Sequence, residues 1–213
     1  MEFEKLLPEE IEKRSFEIIR QELDDGGVRL DPLQAPIVMR CIHASADFDY
    51  AGNLCFSQDA LERAYAALRS GAGIVTDTRM AWSGINKTIL ARLGGEALCF
   101  MADEDVARTA REEGITRAAA SMRKAAKLPG EQIFAIGNAP TALIELDRLV
   151  KEKKIHPALI IGVPVGFVNV VQAKELIMTA GIPYIVARGR KGGSNVAAAI
   201  CNALLYEAAG RQI

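Results

Sequence analysis

The sequence has few of the residues that bind metals or form disulfide bonds. Its 213 residues include two histidines and four cysteines. The cysteines are scattered, with no C-x-x-C pair and no spacing typical of zinc sites: Cys41, Cys55, Cys99 and Cys201. We therefore expect no metal site. Scattered cysteines in a domain of this size are typical of reduced thiols in a cytosol.

Long apolar runs and an excess of one charge are also absent. The most apolar run, ALIIGVPVGFVNVV, is too short and too rich in glycine and proline to span a bilayer. The N-terminal stretch MEFEKLLPEE is acidic and has no apolar signal core. A net charge of −1 gives no basic footprint for nucleic acid. We expect a soluble cytoplasmic protein that binds neither nucleic acid nor membranes.

No linker or internal repeat divides the chain. Half of the residues are apolar, and no stretch is rich in proline, glycine and serine without periodic apolar residues. A chain of this length can bury one large core. We predict a single α/β domain over residues 1–213, with a helical N-terminal segment over residues 1–52.

Short apolar runs alternate with helical stretches in most of the chain. The runs are GIVTD, EALCFM, QIFAIG, ALIIGV and PYIVARG, and helices are predicted at 103–127, 140–153, 168–180 and 194–209. Before them, helices are predicted in PEEIEKRSFEIIRQEL, at 33–45 and in SQDALERAYAALRSG, the last with Ser57 as its N-cap. This order predicts a mostly parallel, doubly wound sheet with helices on both faces.

The segments that leave the predicted strands are rich in glycine and hydrogen-bonding groups. They are TDTRMAWSG, MADED, GNAPT, GVPVGFVN and ARGRKGGSN. In open parallel sheets, ligands bind beyond the carboxyl ends of the strands. We therefore expect the binding site at this edge.

The segment ARGRKGGSNVAAA at 187–199 carries the strongest local signal. It places three cations and a Gly-Gly-Ser turn at a predicted helix N-terminus: Arg188, Arg190, Lys191, Gly192, Gly193 and Ser194. Free N–H groups and the helix dipole favour anions there, and glycine permits close approach. A tight turn with solvated charges fits equally well. The segment matches neither a P-loop nor a dinucleotide fingerprint.

His43 is the histidine with a chemically suggestive setting. It lies in VMRCIHASADFDYAG, near the end of the predicted helix at 33–45 and close to Arg40, Asp47 and Asp49. Free histidine titrates near pH 6.5, which suits a general acid or base. A helix-end histidine bonded to a backbone carbonyl is the other interpretation. His156 follows the charged run KEKK and is expected to be a loop residue.

Two further polar residues are weaker candidates. Ser15, in KRSFEIIR, lies beside an apolar helical stripe. Arg117 follows a helix break expected at Gly114. A surface hydroxyl and a solvated cation explain these two residues as well as a binding role does.

Seven segments taken together resemble the precorrin-8X methylmutase family of cobalamin biosynthesis, which includes cobalt-precorrin-8 methylmutases. They are IEKRSFEIIRQE, MRCIHASAD, ALRSGAGIVTDTRMAWSGI, ITRAAAS, AIGNAPTAL, IIGVPVGFVN and IPYIVARGRKGGSNVAAAICNALL. Their order and spacing make the resemblance specific, and it runs over almost the whole chain. One departure is Ala46, where relatives often carry glycine.

The resemblance implies a three-layer, flavodoxin-like α/β fold and a homodimer with its pocket near the subunit interface. It implies an isomerase without an external cofactor, which moves a methyl group from C-11 to C-12 on ring C of a tetrapyrrole. The substrate would be precorrin-8X or cobalt-precorrin-8, and the product hydrogenobyrinate or cobyrinate. It also implies that His43 is the catalytic acid or base.

The same resemblance implies which residues bind the substrate. Ser15, Arg40 and Arg117 match substrate-contacting positions of the family. The carboxylate side chains of the macrocycle also suit the cations and glycines of residues 188–194. Two other functions fit the residues: a non-catalytic corrinoid or tetrapyrrole carrier, and a flavin- or nucleotide-binding module.

Overall fold

The centre of the protein is a six-stranded sheet, seen in a computed structural model that describes residues 7–210. The strands are β1 (Leu54–Phe56), β2 (Gly73–Thr76), β3 (Ala97–Leu98), β4 (Gln132–Ile136), β5 (Leu159–Gly162) and β6 (Tyr184–Ala187). Their order is β1-β6-β5-β4-β2-β3. Only β1 is antiparallel to its neighbour, β6. The predicted mostly parallel, doubly wound α/β sheet is confirmed.

Helices precede and separate the strands. The helices before β3 are α1 (Pro8–Asp25), α2 (Ala35–Ser45), α3 (Tyr50–Asn53), α4 (Ala60–Arg69), α5 (Arg79–Gly84) and α6 (Lys87–Arg92). The later helices are α7 (Glu104–Glu112), α8 (Arg117–Ala125), α9 (Pro140–Lys151), α10 (Val170–Met178) and α11 (Ser194–Ala208). Within residues 7–210, no helix combines the length and the apolar character needed to cross a bilayer.

Both faces of the sheet are buried under helices. Successive strand residues pack into different clusters, so that Ile133 joins the core with α1, α2, α4 and α11, whereas Phe134 joins the core with α8, α9 and α10. Strands buried on both faces need apolar residues at every position. The apolar runs without alternation follow from this arrangement.

The helix break expected at Gly114 is confirmed, because Gly114 adopts a left-handed conformation with φ of 64° and divides the stretch 103–127 into two helices. Two other local features differ from the sequence-based expectation. The helix after residue 57 starts at Ala60, since the Ser57 hydroxyl instead accepts a hydrogen bond from the Tyr184 N–H at 3.0 Å. That bond extends the pairing of β1 with β6. The three residues of β1 are too few to carry a strand pattern in the sequence.

Candidate active site

The direction of strand connections reverses between β2 and β4. From β2 the chain passes outward to β3, then returns to the other side of β2 at β4 and continues to β5 and β6. A reversal of this kind leaves a crevice at the carboxyl ends of the two strands. The segments TDTRMAWSG and GNAPT leave the sheet at this point, as the sequence predicted.

Asp77 joins the ends of β2 and β4. Its carboxylate is fully buried and accepts hydrogen bonds from the N–H groups of Gly137 and Asn138 at 2.9 Å and of Ala139 at 2.6 Å. Burial raises the pKa of Asp77, whereas the three N–H groups stabilise its ionised form. Asp77 therefore fixes the turn that opens α9.

Thr78 links the same edge to α11. Its hydroxyl accepts from the Ala81 N–H at 3.0 Å and caps α5. The same oxygen lies 2.8 Å from the Ser194 hydroxyl oxygen. The N-termini of α5 and α11 are thus held together at the crevice.

The glycine-rich turn, residues 188–193, has a backbone that only glycine allows at Gly192. This residue has φ of 155°, and a β-carbon there would lie 2.1 Å from the Val163 carbonyl oxygen. The Gly193 N–H donates to the same oxygen at 2.8 Å. The turn therefore lies directly against the loop that follows β5. Helix α11 begins directly after this turn, and no side chain caps its N-terminus.

His43 lies at the end of α2, close to the start of α11. Its side chain is exposed, and its ring centre lies 5.2 Å from that of Phe16 on α1. The Asn195 amide donates to the Ala44 carbonyl at 3.3 Å and so connects α2 to the first turn of α11. The histidine and the glycine-rich turn, which are about 150 residues apart in the sequence, thus border the same edge of the protein.

The two aspartates that follow His43 bind Lys191 of the glycine-rich turn. The ammonium group of Lys191 lies 2.7 Å from Asp47 Oδ2 and 2.6 Å from Asp49 Oδ2. This contact lowers the pKa of Asp47 and raises that of Lys191. The aspartates therefore hold the turn against the end of α2.

The two arginines of the turn are exposed. The Arg190 guanidinium lies 5.3 Å from the centre of the Phe167 ring. Within residues 7–210, Arg188 makes no salt bridge. Both guanidinium groups are accessible to an anionic ligand at this edge.

The three remaining candidate residues, Ser15, Arg117 and Arg40, differ in how far their side chains are buried. The Ser15 hydroxyl is half-buried and donates to the Ile11 carbonyl at 2.8 Å. Arg117 is exposed at the start of α8, and the preceding Thr116 hydroxyl lies 2.8 Å from that of Thr141 at the start of α9. Arg117 is therefore at the crevice edge.

Arg40 is buried and has partners of its own. Its guanidinium donates to Glu12 at 2.8 Å and lies 5.0 Å from the ring centres of both Phe16 and Tyr206. The Arg40 side chain thereby connects α1, α2 and α11. Its Nε has no hydrogen-bond partner among the described residues.

Sequence reasoning missed Asp77 and Lys174 as individual residues. The side chain of Lys174 is fully buried. A signal for it existed, because Lys174 interrupts the buried stripe of α10 formed by Val170, Ala173 and Ile177. For Asp77, the segment TDTRMAWSG indicated the edge of the sheet at which this residue lies. Nothing in the sequence indicates that its carboxylate accepts three hydrogen bonds.

Ala46 occupies the position after α2 in a left-handed conformation with φ of 53°. Alanine is strained there, which explains why glycine suits this position. We expect Ala46→Gly to raise the free energy of unfolding by about 0.5–1 kcal/mol, which is about 1–4 °C in Tm. Ala44→Gly, inside α2, should have the opposite sign. Thermal unfolding followed by circular dichroism measures both variants, and a lower Tm for Ala46→Gly would contradict the assignment.

Among residues 7–210, no cluster of three or more histidine, cysteine, aspartate or glutamate side chains is arranged to hold a metal ion. The four cysteines are free thiols.

Comparison with known proteins identifies the family. A family model described as precorrin-8X methylmutase matches residues 10–207. Cobalt-precorrin-8 methylmutase from Salmonella typhimurium is 47% identical over 204 residues, covering 93% of this chain and 95% of the relative. The enzyme of the same name from Priestia megaterium is 46% identical over 197 residues, covering 92% and 87%.

A solved structure of a protein with a related name has a similar fold. Precorrin-8x methyl mutase from Thermus thermophilus superimposes with a TM-score of 0.86 at 40% identity, covering 95% of this chain and 99% of the other. Relatives named as methylmutases do not favour a non-catalytic carrier. The chain belongs to the precorrin-8X methylmutase family and is an isomerase.

Proposed function

We propose that this protein moves a methyl group from C-11 to C-12 on ring C of cobalt-precorrin-8 or precorrin-8X, forming cobyrinate or hydrogenobyrinate. The observation that carries the proposal is the position of an exposed histidine, His43, beside the glycine-rich turn in a chain of the methylmutase family. The site combines one titratable ring with a rim of cations. That combination suits an anionic macrocycle that is rearranged without group transfer to another molecule.

His43 is the proposed proton donor. The migrating carbon–carbon bond redistributes charge over the conjugated macrocycle, and a proton delivered by His43 stabilises that redistribution. The proton returns to the imidazole after the methyl group has moved, so that substrate and product remain isomers. The contact with Phe16 supports the imidazole on one side, while its exposure leaves it open to a ligand. Asp47 and Asp49 form salt bridges with Lys191, so their charges stabilise the glycine-rich turn.

The cations of the edge are the proposed partners of the substrate's acetate and propionate groups. Arg188 and Arg190 are exposed and can make charge-assisted hydrogen bonds. Lys191 shares its ammonium group with two aspartates, so we expect it to contribute less to binding. The N–H groups of the first turn of α11, beginning with Ser194, add donors, whereas the Gly193 N–H is already bonded to the Val163 carbonyl. Several anchors on one rigid ligand would fix its position relative to His43.

Ser15 and Arg117 are proposed to contact the same ligand from the two sides of the sheet. The Ser15 hydroxyl uses its proton for the Ile11 carbonyl and keeps its lone pairs for a donor. Arg117 offers an exposed cation beside the turn at the start of α9. Arg40, bound to Glu12, would act by keeping α1 and its Ser15 against α2.

We also propose that the substrate contains cobalt. The relatives from Salmonella typhimurium and Priestia megaterium, 47% and 46% identical, are both named cobalt-precorrin-8 methylmutases. We expect kcat/KM for cobalt-precorrin-8 to exceed that for precorrin-8X by about tenfold or more. Absorbance at the wavelengths of the corrin product follows both reactions. Equal values would contradict the cobalt preference, and no conversion of either substrate would overturn the proposed function.

A cytoplasmic homodimer of single-domain subunits, spanning residues 1–213, is the proposed form of the protein. The loop after β5 supports dimerisation, because it exposes three apolar side chains: Val165 by 48%, Phe167 by 81% and Val168 by 77%. Clustered exposed apolar residues are common at protein interfaces. Sedimentation equilibrium should give twice the mass of one chain, and a single-chain mass would contradict the dimer.

A further inference from the structure

Lys174 is a fully buried lysine behind the glycine-rich turn. It extends from α10, and its ammonium group donates to the carbonyl oxygens of Gly189 and Lys191, each at 2.8 Å. Within the part of the chain that the structure describes, no carboxylate forms a salt bridge with it. A positive charge is therefore buried against two backbone dipoles of the turn.

Burying an ammonium group without a carboxylate partner costs free energy, because the charge loses its hydration. An apolar residue at this position would not carry that cost. Position 174 belongs to the buried stripe of α10, beside Ala173 and Ile177. Burial lowers the pKa of Lys174 to about 8, so the group is still charged near neutral pH. Packing alone does not explain a lysine here.

The two bonds determine which groups of the turn face the ligand. Lys174 engages the carbonyls of Gly189 and Lys191, and the carbonyl between them, that of Arg190, accepts from the Gly166 N–H at 3.2 Å. Three successive acceptors are thereby satisfied from within the protein. An anionic ligand then meets the exposed Arg188 and Arg190 side chains instead of carbonyl oxygens that would repel it.

We propose that Lys174 is a positioning residue for substrate binding: it holds the carbonyls of residues 189 and 191 inward, so that the turn receives carboxylates of the macrocycle. This inference rests on the proposed function, because it assumes that the turn binds those carboxylates. Lys174 does not touch the reacting carbons. Its removal should therefore weaken binding and leave the chemical step nearly intact.

The test compares steady-state kinetics and cobyrinate binding for the wild-type protein, Lys174→Met and Lys174→Gln. For Lys174→Met, which keeps the length but loses donors and charge, we expect KM and the cobyrinate Kd to rise about tenfold or more, with kcat within about twofold. Lys174→Gln keeps a neutral donor, so we expect its KM and its cobyrinate Kd to lie between those of the wild-type protein and those of Lys174→Met. If Lys174→Met fails to fold, Lys174→Gln still tests the inference.

Leu146→Ala provides the matched control. Leu146 is fully buried on α9, within the same core as α10, so its truncation lowers Tm without touching the turn. If Lys174→Met and Leu146→Ala both lower Tm and neither changes KM, Lys174 is merely structural and the inference fails. A fall in kcat with an unchanged KM also overturns it. A wild-type protein that neither binds cobyrinate nor turns over substrate overturns the proposed function, and this inference with it.

Discussion

Replacing His43 by alanine should lower kcat for cobalt-precorrin-8 by about 100- to 10,000-fold, the usual contribution of a positioned general acid. The reason is that His43 is the titratable side chain at the end of α2, open to a ligand and supported by Phe16. Other groups of the edge would still bind the macrocycle. Cobyrinate should therefore still bind to the variant, with an altered absorption spectrum. Single-turnover kinetics and an absorbance titration measure the two effects.

The His43→Ala result requires a control for folding. Among the described residues, the exposed ring contacts one aromatic ring, that of Phe16, so its loss should cost at most about 1 kcal/mol of stability. His156→Ala, at the exposed His156 after the α9 helix, removes the other histidine and should leave kcat unchanged. Full turnover by His43→Ala would refute the proton-donor role. Equal losses in both variants would point to a general effect of removing imidazole.

Gly192→Ala should be the most damaging single change in the glycine-rich turn. Its β-carbon would lie 2.1 Å from the Val163 carbonyl oxygen, at a φ of 155° that side chains rarely adopt. The turn must move, which also breaks the bond from the Gly193 N–H to the same oxygen. We expect a loss of about 3 kcal/mol of stability or more from overpacking and backbone strain. For a chain of this length, that is about 6–12 °C in Tm.

Gly189→Ala separates conformational strain from the clash. Gly189 has φ of 76°, but a β-carbon there meets no atom within 4 Å. Its substitution should cost only about 1–2 kcal/mol. Thermal unfolding gives Tm for both variants, and substrate kinetics should show a larger rise in KM for Gly192→Ala. Equal destabilisation of the two variants would show that the close approach to Val163 does not control the turn.

The positions that sequence reasoning placed best are those governed by local rules. Apolar runs without alternation predicted the parallel strands, and Pro140 and Ser194 begin the helices expected at those residues. The edge of the sheet that carries the polar segments also followed, because parallel strands all deliver their carboxyl ends to one side. Where the local signal was weak, as for the three residues of β1, the prediction failed.

The sequence by itself determined the fold class, the edge of the sheet that carries the polar and glycine-rich segments, and the family, because each depends on spacing and order along the chain. Only the tertiary structure decided what the charged side chains do. It showed that Asp47 and Asp49 bind Lys191 across the site, and that Arg40 is buried against Glu12. It also showed that Lys174 holds the turn from behind. The physical reason is that a salt bridge or a buried hydrogen bond depends on a few ångströms of separation between residues far apart in the chain, which no local pattern encodes.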